Sequence, residues 1–256
     1  MNLRVLGCSG GIGKGLFTSS YLIDEDILLD AGTGVGELTL EEMRRLRHIF
    51  VTHSHMDHVL SIPLLADTLF TELQNQPLLV HARAETIVAL KKHVFNWQMW
   101  PDFTELPDKQ SPVLQFVEMM PGDHVVLGRR RIEMVGVNHV VPASAYIVES
   151  EGKVFVYSGD TTSNDALWQR LNQMKGVDFM VVETAFGDEE QELAKLARHY
   201  CPGLLAADLK KLEHSTTIGI SHLKPGAESS IFQQCRDVIE KRHILRHLNS
   251  GDVFQI

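Results

Sequence analysis

Apolar and polar positions along this chain fall into short runs that alternate in kind. Residues 3–7, 18–23, 27–30 and 47–52 are apolar and β-branched over four to six positions, which predicts buried strands. The second and third, separated by the polar Asp24-Glu25-Asp26, read as a hairpin. Thr39 followed by Glu42 matches a capping box and predicts a short helix to about Leu46. Residues 60–73 and 84–95 carry apolar positions at helical spacing, with Pro63 tolerated in a first turn. Leu78-Leu79-Val80 is a strand between them. From Val113 to Val148 the pattern is β, over 114–118, 124–127, 130–137 and 144–149. Strands at 154–157, 179–182 and 218–220 then alternate with helices at 165–174, 189–199 and 206–212, the last begun after Pro202. A helix at 227–236 and a strand-like Val253-Phe254 close the chain. Strands first, then strands alternating with helices, suits an α/β fold of two sheets packed face to face with helices outside.

No linker, repeat or low-complexity run divides residues 1–256, so one domain is expected. An aromatic, proline-broken insert stands out at about 95–112, with Phe95, Trp97, Trp100, Phe103, Pro101, Pro107 and Pro112. It reads as a lid over a pocket, a dimer contact or a satellite cluster under a loop. The glycine-rich stretch Gly7 to Gly15 is not a phosphate loop. Cys8 stands where a Walker A motif needs its first glycine, and Gly15 stands where it needs Ser or Thr. A tight loop bordering the site is expected there instead.

Composition narrows the class. At 44% apolar and 22% charged the chain is an ordinary globular protein. A net charge of −9 disfavours a large nucleic-acid-binding surface. Cys8, Cys201 and Cys235 are odd in number and far apart, which fits reduced thiols and a cytoplasmic location. There is no signal-peptide pattern at the start and no apolar run of membrane length, so no membrane partner is expected.

The chemistry gathers in His53-Ser54-His55-Met56-Asp57-His58, an H-x-H-x-D-H stretch just after the 47–52 strand. Imidazole and carboxylate are the usual ligands of zinc and related ions. His53 and His55 point the same way if the chain stays extended, while the adjacent Asp57 and His58 must turn to a second centre. Two ions suit that pattern better than one. Later strands each end in a further candidate: Val135-Gly136-Val137-Asn138 in His139, Val154 to Tyr157 in Ser158-Gly159-Asp160-Thr161, and Ile218-Gly219-Ile220-Ser221 in His222. Each alone is weak, but together they bring the donors to seven. His81, His93, His124, His243 and His247 have no such spacing, His214-Ser215-Thr216 reads as a surface turn, and Lys14 and Lys224 read as solvated charges.

This set resembles the metallo-β-lactamase superfamily over nearly the whole chain. The resemblance implies an αβ/βα four-layer sandwich with a dinuclear site at one sheet edge. It implies two divalent ions, zinc first and manganese or iron as alternatives. His53, His55 and His139 would hold one ion, Asp57, His58 and His222 the other, and Asp160 would bridge them. His58, and the absence of a Cys near Asp160, argue against the true β-lactamase branch. His139-Val140-Val141-Pro142-Ala143-Ser144-Ala145-Tyr146 resembles an H-x-V-P-x-x-G-Y segment of bacterial cyclic-nucleotide phosphodiesterases, with Ala145 in place of Gly. Glu183-Thr184-Ala185-Phe186, Ser221 to Pro225, Gly7 to Gly10, and Asn96, Trp100-Pro101 and Phe103 resemble that group as well.

The function expected from the resemblance is hydrolysis of a small 3′,5′-cyclic nucleotide. Paired ions activate water for in-line attack on phosphorus. Asp57 would orient that water, and Glu183 with His199 would supply a proton to the leaving oxygen, as a Glu–His pair does in the related tRNA 3′-processing endonucleases. Those endonucleases carry a long basic arm that this chain lacks, so a nucleic-acid partner is not expected. A tRNA-type endonuclease and a catalytically silent metal-binding module are the alternatives, and a homodimer is what the family suggests.

Overall fold

In the central strands successive side chains are all buried, but in different cores. Phe50 joins a cluster with Tyr21, Leu29, Tyr146, Phe155 and Val181, while its neighbours Ile49 and Val51 join one with Ile62, Leu65, Leu69 and Leu90. Phe155 and Tyr157 likewise part from Val154 and Val156, and Phe179 and Val181 from Met180 and Val182. A strand turns alternate side chains to opposite faces. Each sheet must therefore be covered twice, once by the other sheet and once by helices.

The computed structural model describes residues 1–256 and shows that arrangement. The first sheet holds β1 (Asn2–Gly7), β2 (Ser20–Ile23), β3 (Ile27–Leu29), β4 (His48–Phe50), β5 (Leu78–Ala82) and β6 (Leu114–Glu118). The second holds β7 (His124–Leu127), β8 (Arg130–Val137), β9 (Ala143–Ser150), β10 (Lys153–Tyr157), β11 (Phe179–Glu183), β12 (Thr217–Ser221) and β13 (Ile244–His247). β14 (Val253–Gln255) returns to the first sheet beside β1, giving orders 14-1-2-3-4-5-6 and 13-12-11-10-9-8-7. β3 to β6 are parallel, as are β10 to β13. Because β8 and β10 both run against β9, β8, β10, β11 and β12 all end at one edge. There the sheets are joined, since Ser144 N–H donates to the Thr52 carbonyl at 3.0 Å.

Helices α1 (Leu40–Met43), α2 (Met56–Val59), α3 (Ser61–Thr68), α4 (Phe70–Leu73) and α5 (Ala84–His93) belong to the first half. α6 (Ala166–Asn172), α7 (Gln191–Ala197), α8 (Pro202–Leu209) and α9 (Glu228–Val238) belong to the second. The expected capping box is present: Glu42 N–H donates to Thr39 Oγ1, and Thr39 N–H donates to Glu42 Oε2 at 2.8 Å.

Two expectations need correction, and one resolves among its alternatives. The helix expected over 60–73 begins earlier, at Met56, and is broken at Leu60 and Leu69. Pro63 explains the first break, because it has no N–H for the Val59 carbonyl. β13 escaped the pattern because its residues, Ile-Leu-Arg-His, alternate exposed and half-buried positions at a sheet edge. Of the three readings of the 95–112 insert, the satellite cluster under a loop is the one the structure shows. The insert joins the end of α5 to the start of β6, opposite the edge where β4 delivers its histidines, and sends Phe95 and Phe103 into the helix-covered core.

Candidate metal centre

Seven candidate donors from five separate segments meet at the common edge. His53 and His55 leave β4, Asp57 and His58 lie on α2, and His139, Asp160 and His222 follow β8, β10 and β12. They form two groups, His53/His55/His139/Asp160 and Asp57/His58/Asp160/His222. In each group the donor atoms all lie within 4.8 Å of one another. Asp160 belongs to both: its Oδ2 lies 3.7 Å from His53 Nε2, 3.2 Å from His58 Nε2 and 3.4 Å from His222 Nε2. Asp57 Oδ2 lies 3.7 Å from His58 Nε2 and 3.8 Å from His222 Nε2, and His139 Nε2 lies 3.3 Å from His55 Nδ1.

The backbone is shaped for this convergence. Gly159 sits at φ +57°, and a Cβ there would come within 2.8 Å of Thr52, so only glycine lets the Asp160 turn lie against the β4 loop. Gly32 packs against the Asp57 carbonyl so closely that a side chain has no room. His222 itself adopts the left-handed region at φ +59°, and its N–H donates to the Cys8 carbonyl at 2.7 Å. Gly10 N–H donates to the Leu223 carbonyl, so the glycine-rich loop borders the site as expected.

Behind the donors lies Asp30, fully buried and at φ +56°. Its carboxylate accepts from Thr52 N–H and Thr52 Oγ1–H at 2.8 Å each, and from Tyr157 O–H and His58 Nδ1–H at 2.7 Å each. Thr52 Oγ1 in turn accepts from His53 Nδ1–H at 2.9 Å. Both rings are thereby fixed with Nε2 facing the centre. Sequence reading missed Asp30. The only available signal was an acidic residue closing a run of buried apolar ones.

Electrostatics match a cation site. Burial holds His53 and His55 below the ordinary imidazole range and takes His139 and His222 to about 4, so these rings are neutral donors. Burial opposes charge on Asp160 and His58 as well, but the imidazoles around Asp160 hold its carboxyl well below the usual carboxylate range. Asp160 and Asp30 in turn raise His58 well above the ordinary imidazole range, so a positive charge already faces Asp160 where a cation would sit. His53 Nε2 and His58 Nε2 are buried with no hydrogen-bond partner. Unpaired buried nitrogens are costly, and a divalent cation facing an ionised Asp160 removes that cost. The residues therefore fit such an ion.

Glu183 and His199 flank this set. His199 Nδ1–H donates to Glu183 Oε1 at 2.8 Å. The His199 ring stacks on His222 at 5.4 Å and meets His139 edge-on at 4.9 Å. Glu183, at the end of β11, also accepts from the backbone N–H groups of Thr161, Ala185 and Tyr200. Burial raises the Glu183 carboxyl above its ordinary value, but four donors oppose that rise and His199 is raised as well, so the pair is read as a Glu183 anion beside a protonated His199. Burial opposes that charge, but Glu183 holds His199 above its ordinary range. His214 stands apart, with its carbonyl accepting from Arg242 at 3.3 Å. Lys224 is not simply solvated: its ammonium donates to the Gly10 carbonyl at 3.1 Å, beside the Phe186 ring.

A sandwich of this kind with such an edge defines a metal-dependent hydrolase. The chain belongs to the beta-lactamase superfamily, whose domain model matches residues 25–248. It is similar to a probable 3′,5′-cyclic-nucleotide phosphodiesterase of Yersinia pestis, 28% identical over 96% of this chain and 83% of that protein. It is also similar to ribonuclease Z of Haloarcula marismortui, 23% identical over 96% and 94% of the two chains. Among solved structures, unliganded yeast PDE1 superposes with a TM-score of 0.83 at 16% identity, over 98% of each chain. No helix is long and apolar enough to cross a membrane.

Proposed function

We propose that this chain is a dinuclear-metal phosphodiesterase that opens a small 3′,5′-cyclic nucleotide of the cyclic AMP or GMP type. The observation that carries the reading is the sharing of Asp160 between two groups of donors, with the Glu183–His199 pair against both. In this reading His53, His55 and His139 hold one ion, Asp57, His58 and His222 hold the other, and zinc is the first candidate for both. The Yersinia relative's name supports the cyclic substrate. The three unpaired thiols support a cytoplasmic setting.

When bound, a pair of divalent ions lowers the pKa of water and stabilises charge on phosphoryl oxygens. The chain's own residues do the rest. Asp57, half-buried at the centre, accepts a proton from the attacking water. As the bond from phosphorus to the sugar oxygen breaks, His199 protonates that oxygen, because an alkoxide leaves poorly. Glu183 keeps its charge throughout and draws a proton back to His199 from solvent. A cyclic ester would thus open to a nucleoside monophosphate.

The second reading is an endonuclease acting on RNA. The ribonuclease Z relative supports it over nearly the same span, so the acidic net charge does not exclude a nucleic-acid substrate. Zinc-loaded protein should be offered 3′,5′-cyclic AMP, 2′,3′-cyclic AMP, a linear dinucleotide and a precursor tRNA. Turnover of the 3′,5′-cyclic ester above the others is the expected result. Cleavage of precursor tRNA without it would replace the proposal with the second reading.

A further inference from the structure

Arg198 closes α7 with φ +53° and ψ +52°, the left-handed conformation that suits glycine and strains a residue with a side chain. That turn bonds His199 N–H to the Ala194 carbonyl and carries the His199 ring back onto Glu183. Arg198 also grips His139 from both sides. Its carbonyl accepts from His139 Nδ1–H at 3.0 Å, which leaves Nε2 for the centre. Its guanidinium Nη1 donates to the His139 carbonyl at 2.8 Å. The backbone turn needs only glycine and the carbonyl needs no side chain, so the guanidinium is the part left to explain. It forms no ion pair with any carboxylate, and its one direct bond reaches the loop after β8.

We propose that Arg198 is a positioning residue: its guanidinium locks the His139 loop to the α7 turn, so that one half of the metal centre and the His199 proton donor move as a unit. The inference rests on the proposed role of His139 as a ligand. It does not depend on which phosphodiester is cleaved.

The test compares Arg198→Gly and Arg198→Lys with the unmodified protein. Zinc affinity is measured by competition with a chromophoric chelator, alongside the melting temperature of the zinc-free protein. Arg198→Gly keeps the turn and the carbonyl and loses only the guanidinium. It should melt at or above the unmodified protein, yet bind one of its two zinc ions about tenfold more weakly, and Arg198→Lys should restore part of that loss. Two zinc ions bound as tightly as before would overturn the proposal. So would an equal loss at both sites with a lower melting temperature, which is what a merely structural role produces. Zinc bound twice with no phosphodiester cleaved would sink the proposed reaction and leave this role standing. No zinc on the unmodified protein would sink both.

Discussion

Asp30 and His199 show how far single residues can be read. His199 was legible only through a family resemblance. What supports its proposed role is Glu183, which sits at the end of β11, 2.8 Å away, and accepts from three backbone N–H groups. Asp30 was not legible at all, because its partners Thr52, His58 and Tyr157 lie up to 127 residues away. The Glu183–His199 geometry gives a separable prediction. His199→Ala should keep both metals and still cleave bis(p-nitrophenyl) phosphate, whose leaving group needs no proton. Its kcat on an unactivated phosphodiester should fall by about 10²-fold or more. Equal loss on both substrates, measured by initial rates, would remove the proton-donor role.

At the scale of elements, the short apolar runs predicted the central strands well because those are buried on both faces, and the edge strand β7 was legible as well from its Val125-Val126-Leu127 run. β8 and β9 lie close to the expected bounds. Failures came where an edge strand mixes apolar with charged residues, as in β13 with Arg246 and His247, or where a single residue breaks a period, as at Pro63. The capping box of α1 is the local feature read most fully. Arg4 of β1 donates to Glu42 at 2.6 Å and ties the helix to the sheet. The Thr39 backbone N–H, then Arg4 and the Thr39 hydroxyl, hold the Glu42 carboxyl down at about 2. A folded pKa below the unfolded value of about 4.3 means this stabilisation is complete above about pH 4.5. It is lost as pH falls towards 2. Thr39→Ala should therefore cost about 1 kcal/mol at pH 7 in urea unfolding. Glu42→Gln should flatten the decline in stability between about pH 4.5 and 2. An unchanged acid limb in Glu42→Gln would show that the box contributes little.

For the whole molecule, the sequence names the donors and the end of the strands where they belong. Only the tertiary fold joins the edges, because the contact between the β4 loop and the β12 loop depends on two sheets stacking over one core. Charge was a poor guide at this scale. A −9 chain aligns along nearly its whole length with a ribonuclease as well as with a cyclic-nucleotide phosphodiesterase. In the proposed centre, seven side chains from those edges hold two ions. Anomalous diffraction at the zinc edge from crystals of the zinc-loaded protein tests it most directly. Two adjacent peaks about 3.5–4 Å apart are expected. One should lie among His53, His55, His139 and Asp160, and the other among Asp57, His58, Asp160 and His222. A single peak, or peaks away from Asp160, would contradict the proposal.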